Sequence, residues 1–97
     1  MADTNTAAAI KVLTVGTASV LALAANGYRR QFILFNDSGR KVLVAYGPTA
    51  SPTNFSFDIK PNEYFKSDLN DYTGVISVAG LSGSGPLRVT EIQTTPQ

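Results

Sequence analysis

Six carboxylates between residues 37 and 91, Asp37, Asp58, Glu63, Asp68, Asp71 and Glu91, are the side chains in this sequence best placed to do chemistry. Two carboxyl groups held about 5–9.5 Å apart suffice for glycoside hydrolysis. These six, however, fall in turns or on the wet side of candidate strands, and a chain of 97 residues offers little room for a sugar cleft of several hundred Å³. Nucleophilic hydrolysis of the Ser-His-Asp or Cys-His kind is excluded by inventory, because the sequence contains neither His nor Cys. The same absence removes the usual zinc and copper ligands and leaves oxygen ligands for calcium or magnesium. Asp68-Leu-Asn-Asp71 supplies such oxygens without the spacing or closing Glu of a calcium loop, and reads as a turn. Gly80-Leu-Ser-Gly-Ser-Gly85 has the glycines of a phosphate cradle but no following Lys-Ser/Thr or helix, and reads as a loose link. The chain is therefore expected to be non-enzymatic, with no catalytic, cofactor or metal site.

Four cations stand in two pairs, Arg29-Arg30 and Arg40-Lys41, each opening an apolar run. A hairpin between those runs would put them at opposite ends of adjacent strands. They are either solvated strand ends that discourage edge pairing or groups that meet carboxylates on a partner, where the planar guanidinium is well suited. The net charge is +1 with charged residues at 15%, too little basic excess to select bare nucleic acid. Tyr46, Tyr64 and Tyr72 could stack on sugar faces, although Tyr in a small β protein more often lines the core rim. Asn36-Asp-Ser38 and Asn54-Phe-Ser56 match the glycosylation pattern; the first residues lack the basic region of a signal peptide, so both matches read as chance. The stretch from Ala7 to Ala25 is interrupted by Lys11, Thr14, Gly16, Thr17 and Ser19 and is a poor membrane span.

The elements that must position these groups are short apolar runs separated by turn residues. They are Ile10–Val15, Ser19–Ala24, Arg29–Asn36, Lys41–Tyr46, Thr53–Ile59, Glu63–Ser67, Gly74–Ala79 and Leu87–Ile92. This rhythm predicts an all-β fold of about eight short, mainly antiparallel strands in a β-sandwich or barrel. Asn26-Gly27 suits a type I′ hairpin, Asp37-Ser-Gly39 an Asx turn with a left-handed Gly, and Pro61-Asn62 a third reversal. The Ala- and Leu-rich run before Asn26 could also be helical, but its following Asn-Gly favours a strand paired in a hairpin. Residues 10–92 form one domain on this reading, with residues 1–9 and 93–97 as flexible or extended arms.

Alternation shows which faces need cover. Phe55, Phe57 and Ile59 point one way and Asn54, Ser56 and Asp58 the other, as in a strand with one wet face. In Gln31-Phe-Ile-Leu-Phe35 both faces are apolar. The second face is met either by the chain itself or by another subunit. Without disulfides or metals a domain this small gains from oligomerisation. Ile33, Phe35 and Leu43 are the interface candidates.

An ordered series of motifs carries a resemblance: Asn26-Gly-Tyr-Arg-Arg30, Phe35-Asn-Asp-Ser38, Val44-Ala-Tyr-Gly47, Lys60-Pro-Asn-Glu-Tyr64, Tyr72-Thr-Gly-Val-Ile76 and Leu87-Arg-Val-Thr-Glu91. Over about residues 10–92 the chain resembles small β-rich virion structural proteins of tailed bacteriophages, found as capsid decoration (cement) proteins, head fibres or tail-associated pieces. Pro48 directly after Gly47 departs from the glycine-rich loop usual there. The resemblance implies a capsid decoration protein that binds the outside of the major capsid protein lattice as a homotrimer, located on the virion, with no nucleic-acid or membrane partner and no cofactor. Arg29, Arg30, Arg40 and Lys41 are the capsid-contact candidates. A tail or head-fibre module that binds host-surface glycans is the alternative.

Overall fold

The computed structural model of the protein describes residues 4–96. Its eight strands are β1 (Thr4–Val15), β2 (Val20–Leu23), β3 (Arg29–Asn36), β4 (Val42–Tyr46), β5 (Phe57–Ile59), β6 (Tyr64–Lys66), β7 (Ile76–Gly80) and β8 (Gly85–Pro96). Two four-stranded sheets result, β1-β8-β3-β6 (sheet A) and β2-β7-β4-β5 (sheet B), and each neighbouring pair is antiparallel. The chain changes sheet at every connection except β4 to β5, which is the jelly-roll form of the sandwich.

That topology corrects the two expected hairpins. β3 is flanked by β8 and β6, so it has no free edge for β2 or β4. Neither Asn26 nor Gly27 takes a positive φ. Asn26 Oδ1 instead accepts the Tyr28 N–H at 3.0 Å, and the Asn26 N–H reaches the Thr73 carbonyl at 2.8 Å, so the segment serves as a bridge between sheets. Gly39 does adopt the left-handed region (φ 77°), yet Asn36 rather than Asp37 supplies the Asx acceptor, taking the Ser38 N–H at 3.0 Å and its hydroxyl at 2.6 Å. Asn62 (φ 64°) forms the expected reversal after Pro61.

Three strands differ most in length from the expectation. β1 and β8 each run 12 residues and pair continuously from Thr4↔Pro96 to Val15↔Gly85, so the described residues of the two arms are joined to each other rather than free. Residues 1–3 and 97 of those arms lie outside the described residues. β5 contracts to Phe57–Ile59, and Phe55 lies outside it, 46% exposed. Ser51 and Asn54 bridge each other between Pro48 and Phe55, and prolines in this segment cannot donate to a ladder.

The inner faces meet in one core: Phe32 and Leu34 from β3, Leu87 and Val89 from β8, Val42 and Val44 from β4, and Ile76 and Val78 from β7. Each such side chain contributes about 1.5–3 kcal/mol on burial. At one side of the core the rings of Phe32, Phe57, Phe65, Tyr46 and Tyr72 pack together, Tyr46 stacking on Tyr72 at 4.5 Å between centroids. Burial holds the Tyr46 phenol above its ordinary pKa, reinforced by the Asp71 carboxylate and Tyr72. Gly85 permits a close crossing: a Cβ there would lie 2.7 Å from the Ser38 Cα, in the turn after β3.

Candidate assembly surface

Because side chains alternate along β3, the residues that flank Phe32 and Leu34 point away from the core. The ladder then aligns outward residues across sheet A in rows: Ile10, Thr90, Ile33 and Lys66; Val12, Arg88, Phe35 and Tyr64; and Ala8, Ile92 and Gln31. Ile10 is 72% exposed, Val12 57% and Tyr64 67%, while Ile33, Phe35 and Ile92 are half-buried. The result is an apolar field edged by Lys66 and interrupted by Thr90 and by Arg88, whose Nε lies 3.4 Å from Asp37 Oδ2. Ile33 and Phe35 thus stand together on an open face.

Leu43 does not join them. It lies on the outer side of sheet B beside Ala79 and is only 2% exposed. That side is closed by the chain's own β4–β5 connection: Ala50 packs with Ala45 and Ala79, Ser77 Oγ donates to the Gly47 carbonyl at 2.8 Å, and the Ala50 N–H reaches Ser19 Oγ at 2.9 Å. Small residues let the connection lie flat on the sheet, so Leu43 is withdrawn from the interface candidates.

The four cations separate. Arg29 is buried, its side chain fully so, and is corrected from a contact candidate to an internal clamp. Its Nε donates to Glu91 Oε2 at 2.8 Å, Nη1 to the carbonyls of Gly74 (2.9 Å) and Tyr72 (3.3 Å), and Nη2 to that of Ala24. The planar fork of five donors explains why Arg occupies this position. Arg30 is half-buried at the β3 bulge, with its Nε buried and without a hydrogen-bond partner. Beyond the other end of β3, Arg40 is exposed and lies across Gly83, and Lys41 pairs with Asp58 at 3.2 Å. No common patch forms from them.

The carboxylates are likewise dispersed, and among the described residues no group of three or more His, Cys, Asp or Glu side chains could hold a metal ion. Of the three tyrosines considered for sugar stacking, Tyr46 and Tyr72 face each other in the ring cluster and Tyr64 alone is exposed. Asn36 is fully buried, its amide donating to the carbonyls of Arg40 and Ile59, so the first glycosylation match is inaccessible in the folded chain.

Sequence reasoning passed over Ile10 and Val12, although a signal was present. Ile10 and Val12 share one parity of β1 while Leu13 and Val15 share the other, the same two-sided pattern that marked β3. Beside this strand lies a notch of about 100 Å³, lined by Ala9, Ile10, Lys11, Leu23, Val89 and Glu91. An open depression of about 550 Å³ lies by Gln31, Lys66, Ser67, Asp68 and Leu69.

No family model matches this chain, and no curated protein matches it. Among solved structures, it is similar to a chain from the work described as "Bacillus endospore appendages form a novel family of disulfide-linked pili". The TM-score is 0.60 at 11% identity, with 97% of this chain and 90% of that chain covered. At that identity the likeness concerns the fold alone.

Proposed function

We propose that the protein is a non-enzymatic structural component of a tailed-phage virion, a capsid decoration protein that self-associates and binds the outside of the major capsid protein lattice. The observation that carries the reading is the open apolar face of sheet A, with Ile10, Val12, Ile33 and Phe35 outward in a molecule whose other sheet covers its outer side except at Leu21. Exposed apolar patches of this kind serve protein contacts. The ordered motifs from Asn26 to Glu91 supply the virion context by resemblance, and jelly rolls recur in viral capsid domains. The pilus protein of similar fold is itself a structural building block, described as disulfide-linked; this sequence has no cysteine, so the proposed assembly is noncovalent. Arg40 and Lys41, at the surface, are the cations left to meet the shell.

The test is to add the purified chain to particles that lack it and to locate it by electron microscopy. Decoration should appear on the head at lattice positions, and the particles should withstand a higher temperature. A chain found on the tail, or decorated heads no more robust than bare ones, would overturn the reading. Ile33→Glu should reduce occupancy while leaving the fold intact.

A further inference from the structure

The outer edge of β1 is the longest open strand edge among the described residues. The sheets end in β1 and β6, and in β2 and β5; the last three have 3, 4 and 3 residues against 12 in β1. Twelve residues extend about 40 Å. Natural edges are blunted by proline, charge or bulges. β1 contains no proline, pairs with β8 without a register shift and carries one charge, Lys11. Ala7, Ala9 and Lys11 are exposed although their parity is that of core residues Leu13 and Val15, so sheet B stops short of them. Both sides of the first part of this strand are open.

We infer that β1 is a homotypic docking strand, pairing antiparallel with β1 of a second copy about a two-fold axis through Ile10. A strand edge is satisfied by another edge, and within this molecule the one edge of equal length is β1 itself. Charge then selects the register. An axis through Lys11 would set two ammonium groups directly opposite, which is destabilising. An axis through Ala9 would put the partner's Lys11 beside Ala7, whose neighbour on β8 is the neutral Gln93. The axis through Ile10 puts the partner's Lys11 beside Ala9, whose neighbour on β8 is Glu91. Two strand spacings are about 10 Å, a distance a lysine and a glutamate span together across a small alanine. The notch described above lies on that path, with Leu23 and Val89 for the alkyl stem, the chain's own Lys11 on its wall, and Glu91, which also accepts from Arg29 through Oε2, as the carboxylate that the ammonium group approaches.

Shape agrees with this register. Ile10 faces the partner's Ile10, and Val12 faces the partner's Ala8, a large side chain against a small one. The apolar rows of sheet A continue across both copies into one eight-stranded sheet. The pairing deepens the self-association in the proposed function but stands on the geometry of β1, so it survives if the capsid reading fails. It specifies a dimer in place of the trimer implied by resemblance.

The experiment measures mass in solution by light scattering and native mass spectrometry. The wild-type chain should be a dimer whose melting temperature rises with protein concentration, Ile10→Lys and Ile10→Glu should each be folded monomers whose melting temperature does not depend on concentration, and mixing those two variants should restore a dimer containing one of each. Single cysteines placed in turn at positions 8 to 12 then read the register. Residues facing each other across an antiparallel pair have Cα atoms about 4.5–5.5 Å apart, within disulfide range. Oxidation should therefore link Ile10→Cys far faster than Ala9→Cys or Lys11→Cys. A monomeric or trimeric wild type, a mixture that stays monomeric, or fastest linkage at another position would each overturn the inference.

Discussion

The two outer faces of this sandwich solve the same problem in opposite ways. Sheet B presents Leu21, Leu43, Ala45, Ser77 and Ala79 outward and, with its β4–β5 connection, covers all of them but Leu21. Sheet A presents Ile10, Val12, Ile33 and Phe35 and leaves them open. Both sheets have apolar outer sides, so composition does not separate them. The difference lies in where the chain is long enough to fold back. The ten residues of 47–56 cover one face, whereas the connections on the other side are spent crossing between sheets.

The largest effect tests the clamp that keeps the two sheets in their places. Arg29 joins Glu91 of sheet A to carbonyls after β2 and before β7. Arg29→Met should lose about 3–5 kcal/mol in urea unfolding, since it strands a half-buried carboxylate and three carbonyls. Arg29→Lys should recover little, because a single ammonium cannot reproduce the fork. A loss below about 1 kcal/mol would show that the loops hold themselves.

Next comes a direct contrast of the faces. Ala79→Leu, beneath the self-covering connection, should cost about 1–3 kcal/mol through overpacking. Thr90→Leu, in the open row with Ile10 and Ile33, should change stability by no more than about 0.5 kcal/mol. Equal costs would erase the distinction. Phe35→Lys sharpens it from the other side: thermal stability should change little, while occupancy on particles that lack the protein should fall at least tenfold.

The smallest effect is alkaline. The Tyr46 phenol has a folded pKa above its ordinary value of 10.0, so folding favours its neutral form. Its contribution is complete below about pH 10 and is lost as pH rises through the folded value. Tyr46→Phe should therefore flatten the decline of stability above pH 10 relative to wild type, as measured by urea unfolding across that range.

All eight strands were legible as apolar runs bounded by turn residues, and β3 was read with its bounds intact because Arg29 and Asn36 mark its ends. β5 was read too long, since Phe55 continues an alternation that the bridge between Ser51 and Asn54 breaks. The candidate surface was half legible. Ile33 and Phe35 followed from a two-sided strand, but the same pattern in Leu43 led to a covered face, because alternation says that a side chain leaves the core and not what lies above it.

The sequence by itself determined an all-β chain without the residues for imidazole or thiol chemistry, with two-sided strands that needed more cover than a small domain readily provides. These are properties of residue inventory and local periodicity, which act over a few neighbours. Only the tertiary structure decided that Arg29 turns inward, that Leu43 is roofed by its own chain, and that β1 and β8 run as one long ladder with an open edge. Each depends on segments far apart in the chain: Glu91 lies 62 residues from Arg29, and Ala50 reaches Ser19 across 31. Contacts at that separation are set by the crossing of strands between sheets, and no local pattern encodes which sheet a strand enters.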